Sequence, residues 1–331
     1  FESIRDLATT CHASKNRVEK TVVWQPSASL TVIKQRARIY RQIRAFFDVR
    51  SCFEVDTALL SPTTNTDANI ESIKASNLGQ TLYLQTSPEF AMKRLLAAGS
   101  GSIYQICHAF REGEKGRRHN PEFTLLEWYR VGFDYQQLMD EIECLIDDIS
   151  GEPNQYQRIS YRQLVLEHIN VDIDTIKLFA LRQRVDQFVP GTRSSELDVD
   201  QCLDLLISLA IAPKIKGYVF VYDYPISQAS LARVKASDTS VAERFELFYD
   251  GLELANGFSE LCDSPQQRNR FDSDNNRRLT LGLDPYPPDE LLLSALDSGL
   301  PECAGVAIGL DRLLMVLLEK NSIDQVLSFV E

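Results

Sequence analysis

The chain has 331 residues, of which 44% are hydrophobic and 25% are charged, values that are ordinary for a folded globular protein. These values exclude a predominantly disordered chain, and no apolar run approaches the ~18 residues of a membrane-spanning helix. The net charge of −12 also argues against tight non-specific binding to nucleic acid, because surfaces that hold phosphates are usually basic.

The seven cysteines are widely spaced, their number is odd, and no pair forms a CxxC motif. This pattern argues against a disulfide framework and against a zinc site, and four histidines are too few for a His-rich metal centre. The first twenty residues are polar and lack the apolar stretch of a secretory signal. We therefore expect a cytoplasmic protein.

Residues 1–23 are predicted to be a weakly ordered extension. An amphipathic helix of about four turns follows from Thr31, because Val32, Ile39 and Ile43 recur at helical spacing. Further helices are predicted at 89–98, with Ser87 as its cap, at 138–149 and at 310–320. Strands are predicted at 52–55, 81–85, 103–110, 123–130, 218–222, 245–249, 253–261 and 305–309. Because strands and helices do not alternate in βαβ order, we predict an α+β fold with an antiparallel sheet.

The strands 103–110 and 123–130 form a predicted hairpin around a charged loop. Alternation along the second strand places Phe123, Glu127 and Tyr129 on one face. A carboxylate, a phenol and an aromatic ring on one face suit a cationic ligand beside a planar ring. Arg111 offers a bidentate fork for a phosphate or a carboxylate. The alternative is a solvated edge strand, but a carboxylate on an apolar face needs a partner.

A second hairpin is predicted around Asp250-Gly251, a strong turn pair. It brings Glu246 and Glu253 onto adjacent strands, where two carboxylates repel each other unless a cation lies between them. Mg²⁺ bridging phosphates is the usual solution. The alternative is a set of scattered surface acids.

The segment 305–312 has small residues at alternate positions of a strand, which lets a flat ligand or another backbone approach closely. A packing role explains the same pattern. In the preceding strand, three side chains are predicted to share a face: Asn256, Phe258 and Glu260.

In this order the segments resemble motifs 2 and 3 of class II aminoacyl-tRNA synthetases, most closely those of the lysine-specific branch. The resemblance rests on HNPEFT at 119–124, on NGFSE at 256–260 and on TSPE at 86–89, and it spans about residues 24–330. Because few residues of this sequence precede the region, we expect no N-terminal OB-fold of the kind that binds the anticodon. The chain is therefore similar to the stand-alone paralogues that ligate β-lysine to a lysine of translation elongation factor P. WQPSAS at 24–29 and PISQASLA at 225–232 resemble the same paralogues.

The resemblance implies a class II antiparallel sheet flanked by helices, within one catalytic domain at 24–331. It implies use of ATP and Mg²⁺, activation of (R)-β-lysine as an adenylate and transfer to elongation factor P. It also implies a homodimer, with no membrane association and no stable binding of tRNA.

The resemblance also assigns roles to individual residues. Arg111 would hold the α-phosphate and the substrate carboxylate, and Arg312 would act with it as the second catalytic arginine. The remaining residues predicted at the ATP site are Glu114, His119, Asn120, Phe123 and Glu253. Of these, Phe123 would stack on adenine. Mg²⁺ would be bound by Glu246 and Glu253. In the predicted amino-acid pocket, Glu127, Tyr129 and Glu260 would bind the ε-ammonium group, and Glu89 would face the other amine. Asn256, Phe258 and Ala307 would complete the pocket.

Three positions differ from the pattern of lysyl-tRNA synthetases. Ala307 stands where those enzymes usually have glycine, and alanine is the residue expected in the ligase paralogues. Ala58 follows the motif 1 strand, where proline is usual. Gly113 stands where a glutamate usually contacts adenine, and Glu114 lies one place along.

Two alternatives to a protein-modifying ligase stay open. One is a catalytically inactive regulatory or binding paralogue, which the two departures at Ala58 and Gly113 would suit. The other is a minimal enzyme that aminoacylates RNA. The basic residues of the motif 2 loop, Lys115, Arg117 and Arg118, either contact a protein partner or serve solubility alone.

Overall fold

The computed structural model describes residues 24–330. The predicted weakly ordered extension, residues 1–23, lies outside the described residues. The strands are β1 Phe53–Glu54, β2 Leu60–Ser61, β3 Lys74–Asn77, β4 Gln80–Leu84, β5 Ile103–Phe110, β6 Glu122–Val131, β7 Tyr156–Ser160, β8 Tyr218–Pro225, β9 Val241–Tyr249, β10 Leu252–Ser259 and β11 Cys303–Gly309. The α-helices are α1 Leu30–Asp48, α2 Glu89–Ala97, α3 Tyr135–Ser150, α4 Tyr161–Ile169, α5 Leu178–Phe188, α6 Val199–Leu205, α7 Ser264–Thr280, α8 Glu290–Gly299 and α9 Leu310–Leu317.

An eight-stranded sheet, in the order β1-β5-β6-β11-β10-β9-β8-β7, forms the centre of the fold. The six inner strands are antiparallel to one another, whereas β1 is parallel to β5 at one edge and β7 is parallel to β8 at the other. The α+β prediction is therefore confirmed, with the addition that the sheet is mixed at its edges. A separate three-stranded sheet has the order β2-β4-β3.

The two helices with the clearest apolar pattern pack against one face of the large sheet. Helix α1 begins after Ser29, whose hydroxyl accepts a hydrogen bond from the N–H of Val32 at 3.3 Å. Its predicted apolar stripe is buried, and α1 is one turn longer than predicted. Helix α3 begins with a capping box between Asp134 and Gln137, and it buries Leu138, Ile142, Leu145 and Ile149 as predicted. Burying each such side chain contributes about 1.5–3 kcal/mol.

The hairpin between β9 and β10 has the predicted two-residue turn. Asp250 and Gly251 have φ values of 46° and 74°, which is the left-handed pair that such a turn requires. The backbone of Ala212 also lies so close to Gly251 that a Cβ there would overlap its carbonyl oxygen. The turn therefore fixes the register that brings Glu246 and Glu253 toward the same region.

Several predicted boundaries were wrong. The strand predicted at 245–249 begins at Val241, and the strand predicted at 218–222 ends at Pro225. The strand predicted at 253–261 ends at Ser259, and Glu260 follows it in an isolated bridge with Ala232. The helix predicted at 310–320 ends at Leu317. Pro88, not Ser87, is the N-cap of α2, because the hydroxyl of Ser87 accepts its hydrogen bond from Glu89 at the first helical position. Within residues 24–330, no helix is both long and apolar enough to cross a membrane.

Candidate active site

A cavity of about 350 Å³ opens on one face of the large sheet, over β6, β11, β10 and β9. Pairing across these strands sets Glu127 beside Ala307, Ala307 beside Asn256, and Asn256 beside Glu246. Side chains that are neighbours across strands point to the same face, so this row lines the cavity. The cavity wall contains every residue predicted for the site: Glu89, Arg111, Glu114, His119, Asn120, Phe123, Glu127, Tyr129, Glu246, Glu253, Asn256, Phe258, Glu260, Ala307 and Arg312. The structure thus brings them together, while their individual roles stay predictions.

One end of the cavity is rich in buried carboxylates. Glu127 is 2% exposed, and the hydroxyls of Tyr129 and Ser87 each donate a hydrogen bond to it at 2.7 Å. Burial, together with the charge of Glu89, raises the pKa of Glu127 to about 7. Burial likewise raises the pKa of Glu260 to about 8. A cationic ligand would stabilise the ionised form of these buried carboxyl groups, because its charge compensates for the solvation that they lose on burial.

Lys93 joins this cluster, and the sequence interpretation missed it. Its side chain is 2% exposed, and Nζ lies 2.6 Å from Oε1 of Glu89 and 2.5 Å from Oε2 of Glu260. The only signal in the sequence is the i,i+4 spacing of Glu89 and Lys93 on a helix, which is usually a surface pair. Here the pair is buried, because α2 packs its Lys93 face toward the end of β10.

Arg111 directly follows β5 and lies beside Phe123, which is four residues from Glu127 along β6, so it is away from the carboxylate end. Its backbone N–H donates to the carbonyl of Pro121 at 2.9 Å, and its guanidinium carbon lies 5.0 Å from the centre of the Phe123 ring. Nη1 is 3.4 Å from Oε1 of Glu114, whereas the buried Nε has no hydrogen-bond partner among the described residues. A buried donor without a partner is costly, and a ligand oxygen would satisfy it.

Arg312 connects three parts of the site. Its Nη2 donates to Nε2 of His119 at 2.7 Å, and its Nη1 donates to the carbonyl of Glu253 at 3.0 Å. Burial and the charge of Arg312 lower the pKa of His119, so the imidazole is neutral and accepts this bond. The two residues therefore present one compact basic group to the cavity.

The two residues predicted to bind Mg²⁺ lie close enough to interact. Burial and the charge of Glu253 raise the pKa of Glu246 to about 7. Arg244, which the sequence interpretation missed, contacts Oε1 of Glu246 at 2.6 Å and donates to Oδ1 of Asn256 at 3.2 Å. Within residues 24–330, no group of three or more His, Cys, Asp or Glu residues suits a metal ion by itself. Two carboxylates fit Mg²⁺ only if phosphate oxygens and water complete its coordination, as is usual for this ion.

The departure at Gly113 has a conformational explanation. Gly113 lies in the loop after Arg111 with φ of +78°, where a side chain is strained. Glu114, the next residue, lines the cavity and contacts Arg111. The loop therefore brings a carboxylate to the site from the neighbouring position.

Comparisons with known proteins agree with this geometry. Residues 15–331 match the family model of tRNA synthetases class II (D, K and N). The chain is 46% identical over 319 residues to the elongation factor P–(R)-β-lysine ligase of Vibrio atlanticus, and 46% identical over 315 residues to that of Vibrio cholerae serotype O1. It is 43% identical over 321 residues to the ligase of the same name from Pectobacterium atrosepticum. These matches cover 92–94% of this chain and 97–98% of each relative. The chain therefore belongs to the family of class II tRNA synthetases (D, K and N).

Proposed function

We propose that this protein is an ATP-dependent ligase that activates (R)-β-lysine as an adenylate and transfers it to a lysine side chain of elongation factor P. The observation that carries the proposal is the polarity of a single cavity. Buried carboxylates at one end suit ammonium groups, and Arg111 with Arg312 and His119 at the other suits a triphosphate. The similarity to ligases of that name over more than nine-tenths of the chain supports the choice of substrate and acceptor.

The reaction needs little acid–base chemistry in its first step. A carboxylate oxygen of β-lysine attacks the α-phosphorus of ATP, and the bond to pyrophosphate breaks. Arg111 would hold the α-phosphate and the attacking carboxylate, so that its fork neutralises charge as it develops. In the second step the acceptor amine attacks the acyl carbon, the amide forms, AMP leaves, and the amine loses a proton.

Mg²⁺ would be held by Glu246 and Glu253 and would neutralise phosphate charge when bound. We expect Glu253→Gln to raise the Mg²⁺ concentration for half-maximal ATP–pyrophosphate exchange about tenfold, because one of two carboxylate ligands loses its charge. The measurement is a Mg²⁺ titration at saturating ATP. An unchanged midpoint would remove Glu253 from the metal site.

The test of the function is ATP–pyrophosphate exchange with Mg²⁺, comparing (R)-β-lysine with α-lysine, followed by addition of elongation factor P. Faster exchange with β-lysine and a mass increase of elongation factor P are expected. A preference for α-lysine would revive the RNA-aminoacylating alternative, and the absence of exchange with either would support the inactive paralogue.

The pH dependence of substrate binding follows from Glu127. Since its pKa is about 7 in the free protein, the carboxyl is increasingly protonated below pH 7 and no longer attracts an ammonium group. We expect KM for β-lysine to be about tenfold higher at pH 6 than at pH 8, while KM for ATP changes less. Steady-state kinetics between pH 5.5 and 8.5 measure this. Glu127→Gln should bind more weakly and show a smaller dependence, with its midpoint moved toward the pKa of about 8 of Glu260. If it keeps the wild-type profile, Glu127 is not the titrating group.

Ala307 is expected to influence the choice between α- and β-lysine. Its methyl group lies in the cavity wall between Glu127 and Asn256. Ala307→Gly removes this methyl and should shift kcat/KM toward α-lysine by about tenfold, the usual effect of one methyl group. Exchange rates with the two amino acids measure the ratio, and an unchanged ratio would place the discrimination elsewhere.

The remaining proposals concern partners and place. A homodimer through the α1–β1 region is supported by the exposed apolar side chains of Val49 and Phe53, which are 76% and 52% exposed. Analytical ultracentrifugation would give the mass of the assembly.

We expect no stable tRNA complex, since the net charge of the protein is −12. We expect a cytoplasmic location, because the proposed acceptor is a translation factor.

Arg117 of the motif 2 loop donates a hydrogen bond to the carbonyl of Asn321. We therefore expect Arg118, rather than Arg117, to contact the acceptor protein.

A further inference from the structure

Three carboxylates surround the proposed amine pocket, and one buried cation lies among them. Glu89, Glu127 and Glu260 line the cavity, whereas Lys93 is absent from the lining that the described residues form. Lys93 is 1% exposed and contacts Glu89 and Glu260 through Nζ at 2.6 and 2.5 Å. Lys93 thus acts on the pocket through its carboxylates.

We propose that Lys93 is a positioning and specificity-determining residue, which sets the formal charge of the amine pocket to −2 and so matches it to a substrate with two ammonium groups. Three carboxylates and one ammonium give this charge. The inference rests on the proposed function, since it concerns how that substrate is selected.

The charge balance matters because the side chains of Glu127, Glu260 and Lys93 are buried. Interactions between ions are strong in such surroundings, and any unmatched charge is costly. A dication neutralises a pocket of charge −2, whereas a monoamine leaves one carboxylate unmatched. One oxygen of Glu260, Oε1, is buried and has no hydrogen-bond partner among the described residues, which leaves it available to a substrate ammonium group.

Lys93 also orients the carboxylates that it neutralises. It connects the first turn of α2 with the residue after β10, and its Nζ lies 5.4 Å from the centre of the Phe258 ring. The pKa of Lys93 is raised by the charges of Glu260 and Glu89, which outweigh the opposing effect of burial, so it stays charged throughout the neutral range. The other titratable groups that interact with this cluster include Tyr129, Cys107, Cys262 and Cys303.

The test uses Lys93→Met, which keeps the length of the side chain and removes its charge. Without Lys93, one of the three carboxyls must hold a proton before a dication fits. Because the charge of Lys93 lowers the pKa of Glu260, which is about 8 in the wild type, that pKa should rise in the variant. KM for (R)-β-lysine should therefore rise by up to about 100-fold above pH 8, where all three carboxyls become ionised, and improve as the pH falls, which is the reverse of the wild-type trend. KM for ATP should stay at its wild-type value.

The matched control is the double variant Lys93→Met/Glu89→Gln, which restores the formal charge of −2. It should bind β-lysine more tightly than the single variant above pH 8, although below wild-type affinity because Glu89 itself is predicted to face one amine, and it should lose the reversed pH trend. If Lys93 served packing alone, the double variant would be no better than the single one, and KM and melting temperature would change together. If the single variant does not fold, the double variant is compared directly with the wild type.

Calorimetric binding of (R)-β-lysine and of the monoamine 3-aminohexanoate separates this inference from the proposed function. Absence of exchange by the wild-type protein would count against the function, whatever the binding. Wild-type protein that binds the monoamine as tightly as β-lysine, or a Lys93→Met variant with wild-type affinity, would overturn the inference.

Discussion

Arg111→Ala is expected to lower kcat/KM for ATP–pyrophosphate exchange about 1000-fold, the usual cost of removing a preorganised donor to a developing anion. Arg111 is held between the Phe123 ring at 5.0 Å and Glu114 at 3.4 Å. Its buried Nε has no partner among the described residues, so a donor is already in place for an incoming oxygen. The loss should be mainly in kcat, because the charge that Arg111 neutralises develops in the transition state.

Two variants separate charge from geometry at this position. Arg111→Lys keeps the charge but cannot form a bidentate contact, so it should recover only a small part of the activity. Glu114→Gln removes the carboxylate near Arg111 and should affect the rate far less. Melting curves check that the variants fold. Exchange by Arg111→Ala within tenfold of wild type would show that the α-phosphate is bound elsewhere.

The sequence predicted best those features that depend on local periodicity. Glu127 and Tyr129 share a face because they are two apart in a long strand, and the structure places both in the cavity. The turn at Asp250-Gly251 was predictable because few residue pairs adopt its left-handed backbone.

Features that depend on distant partners were not predictable in this way. Strand β7 is five residues long and pairs in parallel with β8, with 57 residues between the two strands. Arg36 lies between the apolar positions of α1, where a charged side chain is usually exposed. It instead contacts Asp311 at 2.6 Å, and Asp311 accepts the N–H of Thr124 at 2.6 Å. That connection fixes the start of α9, and so Arg312, against β6.

The same reason explains the residues of the site that were missed. Arg244 and Lys93 are charged residues in charged stretches, where solvent exposure is the usual outcome. The burial of Lys93 depends on Glu260, which lies at the end of β10. That of Arg244 depends on Glu246 of its own strand and on Asn256 of β10. A surplus of carboxylates in a predicted pocket was the available signal, because such a surplus requires cations from the protein as well as from the ligand.

Gly305→Ala is expected to block the amine end of the cavity while leaving the ATP end intact. A Cβ at Gly305 would lie 2.5 Å from Oε1 of Glu260 and closer still to Cε1 of Tyr129. Both side chains are buried and must move into the cavity to relieve the overlap. Overpacking of this kind costs about 1–3 kcal/mol, so KM for β-lysine should rise about 10- to 100-fold.

The matched control is Gly309→Ala on the same strand, where a Cβ would meet Cδ of Arg312 as its nearest neighbour at 3.7 Å, an ordinary contact distance. It should leave KM for β-lysine at its wild-type value. Steady-state kinetics with each substrate varied in turn, together with melting curves, separate a blocked pocket from a destabilised fold. A Gly305→Ala protein that binds β-lysine normally but ATP poorly would place the amino acid at the other end of the cavity, because only the side chains of the carboxylate end surround Gly305.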